Sequence, residues 1–134
     1  MAGRILIADD DDDHRAIITA LLNSSGYETV GVPDGREALH QLSMSRFDLL
    51  VLDLSMPHVD GWTVLRQMRA QKETERVPVI TFTANAFASD REKALGAGCN
   101  AFLTKPFDLP EFLKVVQRLL SAPTGASRPD PSVI

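Results

Sequence analysis

Five short apolar runs alternate with five stretches of helical periodicity, and this alternation constrains the fold of the 134-residue chain more than any other feature. The runs predict strands: Ile5–Ala8, Glu28–Val32, Leu49–Leu52, Val77–Phe82 and Ala101–Leu103. Runs this short and apolar suit a parallel sheet that is covered by helices on both faces. The repeated strand-helix order therefore predicts a doubly wound α/β fold, with a five-stranded parallel sheet and five helices in a three-layer sandwich.

The chain ends in a stretch of different composition. The last helical pattern is clear, because Phe112, Val115, Val116 and Leu119 follow the spacing of an amphipathic helix. Beyond Leu120 the sequence is rich in Pro, Gly and Ser and has no periodicity. We therefore expect one folded domain over residues 3–121 and a flexible tail or truncated linker over residues 122–134.

Negative charge is concentrated near the N-terminus. The chain has 18 Asp and Glu against 14 Lys and Arg, and five of the acids form the run Asp9–Asp13. The net charge of −4 argues against nucleic-acid binding through bulk positive charge. Crowded carboxylates of this kind indicate a bound cation or a solvated acidic cap. Within the run, Asp12 or Asp13 is predicted to cap the first helix. His14, directly after the run, is interpreted as a surface or structural residue.

Cysteine content and hydropathy limit the compartments and the types of metal site that the sequence is compatible with. The single cysteine, Cys99, excludes an internal disulfide and a cysteine-cluster zinc site. No apolar run approaches the ~20 residues of a membrane span, and the N-terminus lacks the features of a signal peptide. These observations predict a soluble cytoplasmic protein without membrane contact.

Polar side chains of related chemistry follow four of the predicted strands. Because ligands bind at the carboxyl-terminal edge of a doubly wound sheet, we expect these side chains to converge there. They are Asp9 and Asp10 after the first strand, Asp53 after the third, Thr83 after the fourth and Lys105 after the fifth. Carboxylate oxygens suit Mg²⁺, which prepares a neighbouring carboxylate to attack a phosphoryl group. A hydroxyl and an ammonium group can bind the phosphoryl oxygens.

In these motifs the sequence resembles the receiver domain of two-component response regulators, over about residues 4–120. The motifs are the acid pair after the first strand, Asp53 with Met56-Pro57 and Asp60-Gly61 downstream, Thr83-Ala84, and Lys105-Pro106-Phe107. The resemblance extends to single-domain chemotaxis-type regulators and to the receivers of hybrid kinases. It implies a flavodoxin-like fold.

The resemblance also implies the acceptor and the metal ligands. Asp53 would accept the phosphoryl group, and the cofactor would be Mg²⁺. Asp10 and Asp53 would bind the ion directly, Asp9 would act through water, and the backbone carbonyl of Ser55 would be a further ligand.

The remaining roles follow from the same resemblance. Thr83 and Lys105 would contact the phosphoryl group, and Phe102 falls at the position of the family's switch aromatic. The chain would be a signalling switch rather than an enzyme, although it would assist its own phosphorylation and dephosphorylation. A sensor histidine kinase or a histidine phosphotransfer protein would supply the phosphoryl group. Output would reach a downstream protein through the face made by the fourth helix, fifth strand and fifth helix, without direct nucleic-acid binding.

Other interpretations fit the sequence less well. A phosphatase of the haloacid dehalogenase type needs a second aspartate two residues beyond Asp53, where Ser55 stands. A flavin binder of the same topology needs a Ser/Thr/Gly-rich phosphate loop where this chain has five aspartates, and a Walker-type loop is absent. A receiver that binds partners without being phosphorylated is disfavoured by the complete acid, Thr and Lys set. A stand-alone regulator, a hybrid-kinase receiver and part of a longer regulator all stay open.

Overall fold

The computed structural model describes residues 3–56, 59–83, 88–104 and 108–121. Strands and helices alternate strictly along the chain. They are β1 (Arg4–Ala8), α1 (Asp12–Ser24), β2 (Glu28–Val32), α2 (Gly35–Met44), β3 (Leu49–Asp53), α3 (Gly61–Ala70), β4 (Val79–Thr83), α4 (Ala88–Gly96), β5 (Ala101–Thr104) and α5 (Leu109–Ser121). Among the described residues, no helix is both long enough and apolar enough to cross a membrane.

All five strands are parallel and lie in the order β2-β1-β3-β4-β5. The predicted doubly wound α/β fold is therefore confirmed. The start of β4 differs from the prediction by two residues. The amide of Val77 donates to the Thr74 carbonyl in a turn, and Pro78 has no amide hydrogen, so the strand begins only at Val79.

The sheet separates two apolar clusters, because successive strand residues point to opposite faces. Leu6 and Ala8 belong to the cluster under α2, α3 and α4, whereas Ile5 and Ile7 belong to the cluster under α1 and α5. All four side chains are fully buried. Burying one such Leu or Ile side chain contributes about 1.5–3 kcal/mol, so the two clusters hold the strand ends firmly in place.

The prediction that Asp12 or Asp13 caps α1 is wrong, because Asp11 is the N-cap. Its side-chain oxygen accepts hydrogen bonds from the amides of Asp13 and His14, at 3.0 and 3.1 Å. Only Asp9 and Asp10 lie between the end of β1 at Ala8 and this cap, so both stand at the sheet edge, before the helix begins.

The start of α3 lies against the end of β3. Asp60 caps the helix by accepting a hydrogen bond from the Thr63 amide, at 2.9 Å. Gly61 is buried, and a Cβ at this position would lie 2.5 Å from the Asp53 carbonyl oxygen and 2.6 Å from the Leu54 Cα. The Asp60-Gly61 motif therefore allows a close approach of helix and strand directly beside Asp53.

Candidate functional site

Three carboxylates meet at the carboxyl-terminal edge of the sheet. β1 and β3 are adjacent, with Ala8 beside Leu52 in register, so the residues that follow, Asp9 and Asp53, stand next to each other. One carboxylate oxygen from each of Asp9, Asp10 and Asp53 lies within 4.8 Å of the other two. The structure thus brings these three predicted site residues together.

Burial makes this cluster electrostatically unusual. Asp9 is fully buried and Asp53 is only 3% exposed, whereas Asp10 is exposed to solvent. Buried carboxylates are costly unless hydrogen bonds or cations compensate their charge. The Asp11 amide donates to Asp9 Oδ1 at 3.0 Å, and the Ser55 amide donates to Asp53 Oδ1 at 2.9 Å. These bonds orient the carboxylates, but they do not neutralise the mutual repulsion of the charges.

The donor set fits a hard divalent cation. All three side chains offer oxygen, and Mg²⁺ is bound in proteins through one or two carboxylates while it keeps several waters. The exposed Asp10 gives the cluster access to solvent for those waters. Ser55 is also exposed and follows Asp53 by two residues at the same edge, where its backbone carbonyl was predicted to be a ligand.

The other predicted site residues end β4 and β5. Thr83 closes β4, one residue beyond Phe82, which is the register partner of Asp53. Thr83 is 4% exposed and pairs in register with Thr104 at the end of β5. The predicted Lys105 lies outside the described residues. The structure therefore places Thr83 near the acidic cluster and leaves the position of the lysine undescribed.

Phe102 lies on the face that strand alternation predicts. Its neighbours in sequence, Ala101 and Leu103, belong to the cluster under α1 and α5, whereas Phe102 belongs to the cluster under α2, α3 and α4. The ring is 2% exposed. Phe102 is therefore turned inward in this structure.

One neighbour of the acidic cluster was missed by the sequence analysis. His14, in the first turn of α1, contacts Asp9 through its Nδ1 atom, which lies 2.5 Å from Asp9 Oδ2. The prediction that His14 is a surface or structural residue did not include this contact. A histidine one turn into the helix that follows an acidic strand end is the signal that could have revealed it.

Comparison with known protein families agrees with these motifs. The family model of the response regulator receiver domain matches residues 5–117. The polar-differentiation response regulator DivK of Brucella anthropi is 32% identical over 120 residues, which are 90% of this chain and 98% of DivK. The sensor protein EvgS of Escherichia coli O157:H7 is 44% identical over 105 residues, which are 78% of this chain. The matched region is only 9% of the length of EvgS.

A solved structure resembles the whole fold. It is the receiver domain of the sensor histidine kinase PA1611 from Pseudomonas aeruginosa PAO1, with a TM-score of 0.83 and 37% sequence identity. The match covers 91% of this chain and 100% of that one. That structure contains a magnesium ion coordinated in its active-site cleft.

Proposed function

Since this chain belongs to the response regulator receiver domain family of two-component systems, we propose that its phosphoacceptor is Asp53. The observation that carries the proposal is the convergence of three carboxylates, with oxygens within 4.8 Å, around the buried end of β3. Packing of the strands does not explain this cluster, because the cluster concentrates negative charge where little water compensates the charge. A phosphoacceptor with a cation site does explain the cluster.

The cation of this site is Mg²⁺ in our proposal. Asp10, Asp53 and the Ser55 carbonyl would hold the ion directly, and Asp9 would hold it through water. When bound, Mg²⁺ supplies positive charge that offsets the repulsion between the acceptor carboxylate and an incoming phosphoryl group. The oxygen-only donor set of the cluster supports this assignment.

The residues of the chain itself position the acceptor. The Ser55 amide donates a hydrogen bond to Asp53 Oδ1, so the carboxylate has a defined orientation at the strand end.

In the proposed phosphoryl transfer, an oxygen of Asp53 forms a bond to phosphorus while the bond from phosphorus to the nitrogen of a donor histidine breaks. The product is an acyl phosphate, and the nitrogen keeps the electron pair of the broken bond. The donor is a phosphohistidine of a sensor kinase or a phosphotransfer protein.

Phosphorylation then changes the charge at the sheet edge, and this change is the signal. The Thr83 hydroxyl would donate a hydrogen bond to the phosphoryl group, and the Lys105 ammonium would pair with it. Movement of Thr83 would shift the population of states on the face formed by α4, β5 and α5, where Phe102 would be the switch residue. A downstream protein would read this face. The chain would thus act as a switch that assists its own chemistry, and not as an enzyme with an external substrate.

The extent of the domain is part of the proposal. The described elements run from Arg4 to Ser121, which supports a domain over residues 3–121 with residues 122–134 as a tail or linker. The near-complete match to DivK supports a stand-alone regulator, and the match to a small part of EvgS supports a receiver within a larger protein. The cytoplasmic location stays a prediction of the sequence.

The proposal is tested by incubating the chain with acetyl phosphate and Mg²⁺ and measuring its intact mass. We expect the wild type to gain one phosphoryl group and Asp53→Asn to gain none. Asp60→Asn is the matched control, because it removes a nearby carboxylate but keeps a side chain that caps α3 well. It should be phosphorylated like the wild type. Phosphorylation of Asp53→Asn at the wild-type rate would contradict the proposal, and an unmodified wild type would favour a receiver that works without phosphorylation.

A further inference from the structure

Asp9 is held by the beginning of α1 at three of its atoms. Its Oδ1 accepts a hydrogen bond from the Asp11 amide, and its Oδ2 accepts one from His14 Nδ1. Its backbone carbonyl accepts a hydrogen bond from the Arg15 guanidinium at 2.7 Å. A fully buried carboxylate that is fixed at both oxygens and at its own backbone has little freedom to turn. The orientation of Asp9 is therefore determined by α1.

The His14 ring is itself fixed in place. It packs against the Phe82 ring, with the two centroids 5.3 Å apart and the planes inclined at 58°. Phe82 is fully buried in β4 and is the register partner of Asp53. The imidazole thus reaches from α1 to the strand beside the acceptor. Because packing against Phe82 already fixes the ring, the hydrogen bond to Asp9 costs little further side-chain entropy.

We propose that His14 is a positioning residue for the cation site, acting through Asp9. By donating to Oδ2, it fixes the orientation of the Asp9 carboxylate, which in the proposed site would hold the ion through water. This inference rests on the proposed function, because it concerns the Mg²⁺ that Asp10 and Asp53 would bind directly. Partners that orient metal-site carboxylates typically affect metal affinity about 10–100-fold.

Two substitutions separate the donor from the ring. His14→Asn places an amide nitrogen at the same number of bonds from the Cα as Nδ1, so it can keep the hydrogen bond but loses the ring. His14→Phe keeps a ring against Phe82 but has no donor. A role of His14 in positioning Asp9 requires the donor, whereas a packing role requires the ring.

The measurement is calorimetric titration of each variant with Mg²⁺ alone. We expect the Kd of His14→Phe to rise about tenfold, and the Kd of His14→Asn to stay within about threefold of the wild type. The increase in melting temperature that Mg²⁺ produces should shrink in His14→Phe for the same reason. His14→Leu, which also lacks a donor, gives the same comparison where His14→Phe does not fold.

Equal Kd values for wild type and His14→Phe would overturn the inference, and so would a reversed order in which only His14→Asn is impaired. Either result leaves the proposed function intact, because phosphorylation of Asp53 is measured separately. A wild type that binds no Mg²⁺ would instead contradict the proposed cation site, and the inference would fall with it.

Discussion

At the scale of single residues, the backbone around Asp53, the proposed acceptor, has room only for a residue without a Cβ. Gly61 begins α3 directly beside Asp53 and Leu54, and its amide donates to the Leu54 carbonyl at 3.3 Å. The backbone atoms that a Cβ would meet at 2.5 and 2.6 Å cannot rotate away as the end of a side chain can. Any larger residue therefore has to displace the end of β3 or the start of α3.

We predict that Gly61→Ala lowers the free energy of unfolding by about 1–3 kcal/mol, because the new methyl group overpacks this junction. It should also slow the phosphorylation of Asp53 by acetyl phosphate, since the acceptor strand is displaced. Gly96→Ala is the control, because a Cβ at that exposed helical position would meet no atom within 4 Å. This variant should be neutral or more stable by up to about 1 kcal/mol. Equal urea midpoints for both variants would contradict the close approach.

The acids of the site were predictable from the sequence, whereas their neighbours were not. The positions of Asp9, Asp10 and Asp53, and of Thr83, at strand ends could be predicted because an apolar run marks where a parallel strand ends. Any of the five consecutive aspartates is chemically able to cap α1. The path of the chain after β1 selects Asp11, and residue types alone do not predict this path. The contact of His14 with Asp9 depends on the same path, and its one signal in the sequence is a histidine that closely follows an acidic strand end.

At the scale of elements, α3 is tied to two loops at the end of the sheet that lies opposite the acidic cluster. Arg69, in the last turn of α3, donates to the carbonyls of Gly98 and Val77, at 2.7 and 2.8 Å. It also donates to Asn100 Oδ1 at 3.1 Å, and this buried amide oxygen accepts a second bond from the Val79 amide. Burial lowers the pKa of the Arg69 guanidinium. One side chain thus connects α3 with the segments that lead into β4 and β5.

We predict that Arg69→Lys lowers the free energy of unfolding by about 2–4 kcal/mol, because an ammonium group cannot reach all of these acceptors and leaves partly buried carbonyls without a donor. Arg66→Lys is the control on the same helix. Its exposed guanidinium bonds Thr63 one turn away at 3.2 Å, so we expect a change below about 0.5 kcal/mol. Chemical denaturation compares the two variants. A loss for Arg69→Lys no larger than that for Arg66→Lys would show that the network adds little stability.

The strands were easier to predict than the contacts between helices and loops. β2 was predicted with its observed limits, and β1, β3 and β5 differ by one residue at one end. Apolar runs are local signals, so the sequence contains them directly. Most acceptors of Arg69 are backbone carbonyl groups, in residues as far as 29 positions away, and every residue type has such a group. No pattern in the sequence could therefore have identified this network.

At the scale of the whole molecule, β4 lies between β3, which ends in the acidic cluster, and β5, which belongs to the proposed output face. Thr83 pairs with Thr104 at the ends of these strands, and Phe102 pairs with Thr81 two residues earlier. Phe102 lies in the same cluster as Ala94 of α4 and as Cys99, whose thiol has a pKa raised by burial. A displacement of Thr83 would therefore reach α4 through the residues that surround the Phe102 ring.

We predict that Phe102→Leu uncouples phosphorylation from the response of the α4, β5 and α5 face. The matched control is Phe47→Leu, because Phe47 is also buried in the cluster under α2, α3 and α4 but precedes β3 at the opposite end of the sheet. Both substitutions remove part of a buried ring, and each should cost less than the loss of about 3–5 kcal/mol that is typical of Phe→Ala. Phe47→Leu also removes the contact of the Arg4 guanidinium with the Phe47 ring, whose centroid lies 4.6 Å away. Both variants should still accept one phosphoryl group on Asp53.

Hydrogen exchange of α4, β5 and α5, measured with and without acetyl phosphate and Mg²⁺, checks the coupling. Phe47→Leu should keep the change in exchange that phosphorylation causes in the wild type, because its ring lies far from Thr83. Phe102→Leu should lose most of that change, since in our proposal the Phe102 ring transmits the movement of Thr83 to this face. If Phe102 only fills the core, both variants will show the wild-type change after phosphorylation, and the proposed switch role of Phe102 is then wrong.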